Sequence, residues 1–171
     1  MTTMETAVTT QVYRVYIKAP ATKVWSAITS REWTEKYGYG GWAEFDLRAG
    51  APYQIHPSQA MVDASHRMGY EIADVIIDGE VIEADEPRRL VLTWRMLMDP
   101  AMAAEGFTRL TYELDEHEGV TRLTVTHELD NAPGLAAMVR GDAESTGAGG
   151  GWAWILSDLK SLLETGEGFP R

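Results

Sequence analysis

Cysteine is missing from all 171 residues. Its absence removes disulfides, thiolate nucleophiles and cysteine-based zinc sites together, and it suits a reducing compartment. Histidine is sparse, with four in the chain. None of them stands at HxH or HxxxH spacing from another, so no metal site is expected. Long apolar runs are lacking as well, none approaching the ~20 residues that cross a bilayer. Met1 to Thr10 (MTTMETAVTT) is small and polar rather than a charged-then-apolar leader. The expectation is a soluble, cytoplasmic protein. Basic residues are the minority, 15 against 26 acidic ones, for a net charge of −11. That surplus is spread along the chain and repels phosphates, which argues against nucleic acid and against anionic membrane surfaces as partners. GxSxG, P-loop and dinucleotide fingerprints are absent, and no cofactor is expected. The glycine run at 147–151 follows no strand and reads as a hinge or as close packing at a helix start.

What is present is organised around Gly149 to Glu164 (GGGWAWILSDLKSLLE). At about 100° per residue, Trp152, Ile155, Leu156, Leu159, Leu162 and Leu163 share one side. Ser157, Asp158, Lys160, Ser161 and Glu164 share the other. Gly166 and Pro170 supply the stop. This amphipathic helix needs a partner surface, and nearly everything upstream reads as strand.

From Gln11 to Lys18 the chain alternates, with Tyr13, Val15 and Ile17 on one face. Pro20 ends that strand and opens a short helix carrying Val24, Trp25 and Ile28. Thr29 or Ser30 caps a second short helix with Trp33 and Tyr37. Strands are predicted at 43–48 and 52–56 around an Ala49-Gly50-Ala51 connection, at 81–84 and at 90–98. Further strands follow at 107–114 and 120–129. In the strand over 90–98, Leu90, Leu92, Trp94, Met96 and Met98 point one way. In the last two strands Leu110, Tyr112 and Leu114 align, as do Leu123, Val125, His127 and Leu129. Residues 57–77 show no clean period and read as an irregular insert able to act as a lid. The segments 100–106 and 131–151 read as connections.

The predicted fold class is α+β: a curved antiparallel sheet of about six or seven strands wrapped around a long C-terminal helix, with two short helices after the first strand. The domain reading is a flexible N-terminus over 1–10, one domain over 11–166 and a tail over 167–171.

The strings IKAPATKVWSAIT, FDLRAG, DGEVIEADEPRRLVLTW, TRLTVTHEL and GGGWAWILSDLKSLLETG resemble the bacterial single-domain branch of the Bet v 1/START-like (SRPBCC) superfamily, similar to the C-terminal domain of the Hsp90 ATPase activator. The resemblance runs over about residues 11–165. It implies a helix-grip fold whose internal cavity holds a hydrophobic small molecule, and it carries over no catalytic residue.

The candidate ligand-binding residues are Trp94, Met96, Tyr112, His127, Trp152, Ile155 and Leu156, all expected between sheet and helix. His127 reads as a core histidine satisfied by a neighbour such as Tyr112, or else as an acid/base group. A cyclase- or hydratase-type enzyme acting on a polyketide-like substrate would use His127 with Tyr112. A chaperone- or regulator-interacting protein is the third function class. His117 reads as solvated and His66 as a surface histidine. Asp46 and Arg48 read as a surface ion pair, and Glu44 beside Asp46 as solvated. Trp154 lies off the dry stripe, at about 200° from Trp152. It reads as packed on the 131–146 segment or as a self-association surface, so a homodimer is a possible assembly.

Overall fold

A computed structural model describes residues 9–146 and 149–170. Alternating apolar residues fold into seven strands, β1 Thr10–Ile17, β2 Trp42–Phe45, β3 Pro52–His56, β4 Ile77–Asp85, β5 Arg89–Met96, β6 Thr108–His117 and β7 Val120–Glu128. They form one antiparallel sheet in the order β1-β7-β6-β5-β4-β3-β2. The first strand therefore lies beside the last, with Val15 opposite Leu123 and Ile17 opposite Thr121. One face of the sheet is apolar: Leu90, Leu92, Trp94 and Met96 from β5, Leu110 and Leu114 from β6, and Leu123 and Val125 from β7 are all buried. The expected α+β helix-grip architecture is the one observed.

Among the described residues six α-helices complete it: α1 Ala21–Thr29, α2 Arg31–Thr34, α3 Gln59–Arg67, α4 Pro100–Ala104, α5 Pro133–Arg140 and α6 Gly151–Thr165. Helix α6 buries Trp152, Leu156, Leu159, Leu162 and Leu163 against the apolar face. It ends at Gly166, whose φ of 86° gives the left-handed turn and whose N–H donates to the Leu162 carbonyl. At its start Gly151 has φ 68°, and a Cβ there would meet the Val139 carbonyl oxygen at 2.1 Å. Close packing of α5 on α6 thus explains this glycine, while residues 147 and 148 lie outside the described residues.

Several expectations are corrected. Asp158, assigned to the wet side of α6, is completely buried. It sits at about 240° from Trp152, next to Leu162 at about 280°, so a modest cover suffices to enclose it. Two segments supply that cover. Gly38 N–H donates to Oδ2 at 2.8 Å and Phe169 N–H donates to Oδ1 at 2.6 Å. The aperiodic stretch 57–77 contains α3, started by Ser58, whose hydroxyl accepts from Met61 N–H. Only Ser65 of that helix is fully buried, with Met61, Val62 and Ala64 half-buried beside it, so its apolar side is too short to stand out in the sequence. Strand β4 begins at Ile77 rather than at residue 81, and the expected connections at 100–106 and 131–151 contain α4 and α5. Strand β5 stops at Met96, leaving Met98 43% exposed. Ser30 lies at the N-cap of α2 without capping it, because its hydroxyl donates back to Ser26. Trp154 packs between Tyr39, with ring centroids 5.5 Å apart, and Phe169 at 5.9 Å.

One polar chain links helix to sheet in the interior. An indole N–H can only donate, so the 3.1 Å bond from Trp152 Nε1 makes His127 Nδ1 an acceptor. His127 therefore carries its proton on Nε2 and donates it to Thr108 Oγ1 at 2.8 Å. The Thr108 hydroxyl in turn donates to the Trp94 carbonyl at 2.9 Å. Every group is satisfied with a neutral ring, and the neighbour is not Tyr112. Burial pulls the His127 pKa down to about 3.

Two predictions test these clasps. An unfolded histidine titrates near 6.5, whereas the folded one resists protonation until far lower. The stabilising contribution is therefore complete above pH ~6.5 and is lost as pH falls from there toward ~3. Between about pH 7 and about pH 4.5 this one group is expected to cost roughly 2–3 kcal/mol in urea unfolding. His127→Gln, which keeps an acceptor for Trp152, removes that share of the acid loss; equal losses in both proteins would show that the ring already titrates when folded. Asp158→Ala is expected to destabilise by about 2–4 kcal/mol, with Asp158→Asn milder because one acceptor oxygen survives. Amide exchange at Gly38 and Phe169 that stays unchanged in the alanine variant would refute the clasp.

Candidate ligand-binding cavity

Helix α6 does not seal the whole concave face, and a cavity of about 340 Å³ remains between them. The sheet contributes Phe45 from β2, Tyr53 from β3, Leu92, Trp94 and Met96 from β5, and Tyr112 from β6. Opposite stand Met138 and Val139 of α5 and Trp152 and Ile155 of α6. Tyr37, Gly38 and Tyr39, which follow α2, close one side, and Met61 of α3 and Met98 stand at the rim. The wall carries four methionines and no aspartate, glutamate, lysine, arginine or histidine among the described residues. Such a lining offers dispersion and adaptable fit with little to hold a charge.

The alternation along β5 and β6 and the stripe on α6 bring Trp94, Met96, Tyr112, Trp152 and Ile155 together on this wall. Leu156 is buried in the core beside it, and His127 is buried behind Trp94 and Trp152 with both nitrogens engaged. Its ring meets theirs edge-on, with centroids 5.3 and 6.0 Å apart. The remaining histidines lie outside the cavity. His66 and His117 are exposed. His56 stacks on Trp42 at 3.9 Å, bonds the Asp74 carbonyl through Nδ1 and faces Glu44 through Nε2. Asp46 and Arg48 form a bidentate pair on the exposed surface. No group of three or more metal-binding side chains assembles among the described residues.

Sequence reasoning did not find Tyr37, Tyr53, Met61 or Met138. Tyr53 was accessible in principle, since it alternates with Ile55 along β3. The others depend on where α2, α3 and α5 dock, which no local period reveals. Tyr53 stacks on Phe45 at 4.9 Å and donates to the Thr93 carbonyl at 2.6 Å. Tyr37 donates to the Ala27 carbonyl at 2.9 Å. Burial pushes both phenols well above their usual pKa, the Asp158 charge adding to the effect at Tyr37. Tyr112 is raised in the same way, by burial first and then by Tyr37. All three stay protonated, hence donors, at any working pH.

No helix among the described residues is long and apolar enough to cross a membrane. Solved structures share the fold at low identity. The Aha1 dimer from Colwellia psychrerythraea is 18% identical with a TM-score of 0.61, over 94% of this chain and 100% of that one. An HSP90 activator from Plasmodium falciparum is 19% identical with a TM-score of 0.60, over 91% and 96%. DynU16, a putative protein in the dynemicin biosynthetic locus, is 19% identical with a TM-score of 0.63, over 95% of this chain and 49% of that one. No match was found among curated proteins. The model of the family described as activator of Hsp90 ATPase homolog 1-like protein matches residues 18–164. With nearly the whole domain covered, from the end of β1 to the last turn of α6, the chain belongs to the activator of Hsp90 ATPase homolog 1-like family.

Proposed function

We infer that this protein binds a flat, uncharged, apolar small molecule in the space between its sheet and α6. The observation that carries the reading is the cavity itself: about 340 Å³, walled by aromatic and methionine side chains and free of charged groups among the described residues. Its size falls within the range of small-molecule sites, roughly 300–1,000 Å³. Binding is favoured over acid/base chemistry because His127, the base that a cyclase-type enzyme would need, has both nitrogens occupied and lies outside the wall. The HSP90 activator from Plasmodium supports the other reading, action on a chaperone through the outer surface. The cavity is the stronger support, since surface action has no need of an apolar interior space. A second copy of the chain is the proposed protein partner, on the strength of the dimeric Colwellia relative. The cytoplasm is the proposed compartment, its reducing thiol pool being immaterial to a chain without cysteine.

Filling the space tests the reading. Ile155 projects from α6 into the cavity and is only half-buried, so Ile155→Trp adds an indole where a guest would sit. N-Phenyl-1-naphthylamine, a neutral fluorescent probe, is expected to bind the unaltered protein in the micromolar range. Its affinity should fall by tenfold or more in the variant, with little change in Tm. Equal binding to both proteins, or none to the unaltered one, would refute it.

A further inference from the structure

The four tyrosines of the cavity differ in how their hydroxyls are engaged, that of Tyr39 accepting from the Gly151 N–H at 3.3 Å. Tyr37 and Tyr53 donate their hydroxyl protons to backbone carbonyls. Tyr112, half-buried with its ring edge-on to Trp152 at 6.1 Å, forms no side-chain hydrogen bond with any described residue. The Trp94 indole N–H, on the neighbouring strand, likewise forms none. Tyr112 lines the same cavity as Tyr37 and Tyr53. The Tyr112 hydroxyl is not among the fully buried side-chain atoms that lack a partner, so it opens onto accessible space, and no carboxylate among the described residues lines the wall to accept from it.

The geometry points to Tyr112 as the polar anchor of the cavity, selecting guests that carry a neutral oxygen acceptor, such as an aryl ketone or quinone carbonyl, over pure hydrocarbons. This rests on the cavity being a binding site. The chemistry follows from what the wall can exchange. A phenol O–H and an indole N–H both donate, so the complementary group must accept. A carboxylate or phosphate would accept too, but it would bring a charge into a wall where no described residue supplies a cation to pair it, in a chain of net charge −11. A neutral carbonyl meets the donor without that penalty. Specificity of this kind is set by the mismatched guest, because a hydrocarbon of the same shape leaves the hydroxyl dry and unpaired.

Two probes of nearly one shape separate the claims. 2-Acetonaphthone carries the carbonyl and 2-isopropenylnaphthalene replaces its oxygen with a methylene. Both are titrated by quenching of tryptophan fluorescence into the unaltered protein and Tyr112→Phe, with Tm recorded for each. The ketone is expected to bind the unaltered protein about five- to tenfold more tightly than the hydrocarbon, and Tyr112→Phe should erase that ratio while leaving the hydrocarbon's affinity within about twofold. A ratio near one in the unaltered protein, or a ratio that Tyr112→Phe leaves intact, overturns the anchor and leaves the cavity standing as a binding site. If neither probe binds the unaltered protein, the cavity reading falls and the anchor with it.

Discussion

One hydrogen bond sets the distance between the two layers. The Trp152 indole N–H reaches across the interior to His127 Nδ1, and the proton on the other ring nitrogen is consumed by Thr108. Because every atom of that chain has a single permitted role, the first turn of α6 stands at a fixed height over β7. Further along, Asp158 ties the helix to Gly38 and to Phe169 of the returning tail. At the sheet edge Lys160 Nζ donates to the Tyr16 carbonyl. The helix is thus held by side-chain bonds at three points along its length. The apolar stripe alone would permit it to slide or settle toward the sheet, since burial is non-directional.

Holding the helix off has a consequence for the wall. Trp94 and Trp152 flank His127 edge-on, and the Trp152 indole is fixed there by its bond to Nδ1. Gly38, which lines the cavity, is held by the same Asp158 that anchors the tail. The polar groups buried in this interior therefore serve position, and the apolar groups enclose the space. With no charged side chain among the described residues of its wall, the cavity would penalise any group that must surrender strong hydration to enter.

How much of this was legible depends on whether a signal was local. Strands β5, β6 and β7 alternate cleanly, and their inward residues follow from a period of two. The stripe on α6 follows from a period of 3.6. Short helices fared worse. Helix α3 fully buries only Ser65, and α5 is fixed by tertiary means, through Gln11 Nε2 donating to the Ala136 carbonyl and through Val139 meeting Gly151. Neither interaction leaves a periodic trace. The same limit explains the partner of His127. Cross-strand register places Tyr112 opposite Val125 and Leu110 opposite His127, so the phenol is two residues away along the sheet, and the true partners come from Thr108 and from the far layer. Face could be read from the sequence, but register could not. Asp158 shows the complementary case, in which a residue read as belonging to the wet side of the helix is buried by segments remote in sequence.

The open volume is itself a physical statement. A sealed void in a protein core is costly because its lining loses contacts, whereas this cavity opens at a rim where Met61 and Met98 stand, so only its inner wall resembles such a void. Filling it by ordinary evolution needs only larger side chains at Ala43 or Ile155, both on the wall. Water offers little relief in a space lined almost entirely by carbon and sulfur, since a trapped water needs two to four polar partners. An apolar group placed there would supply the dispersion contacts that water cannot.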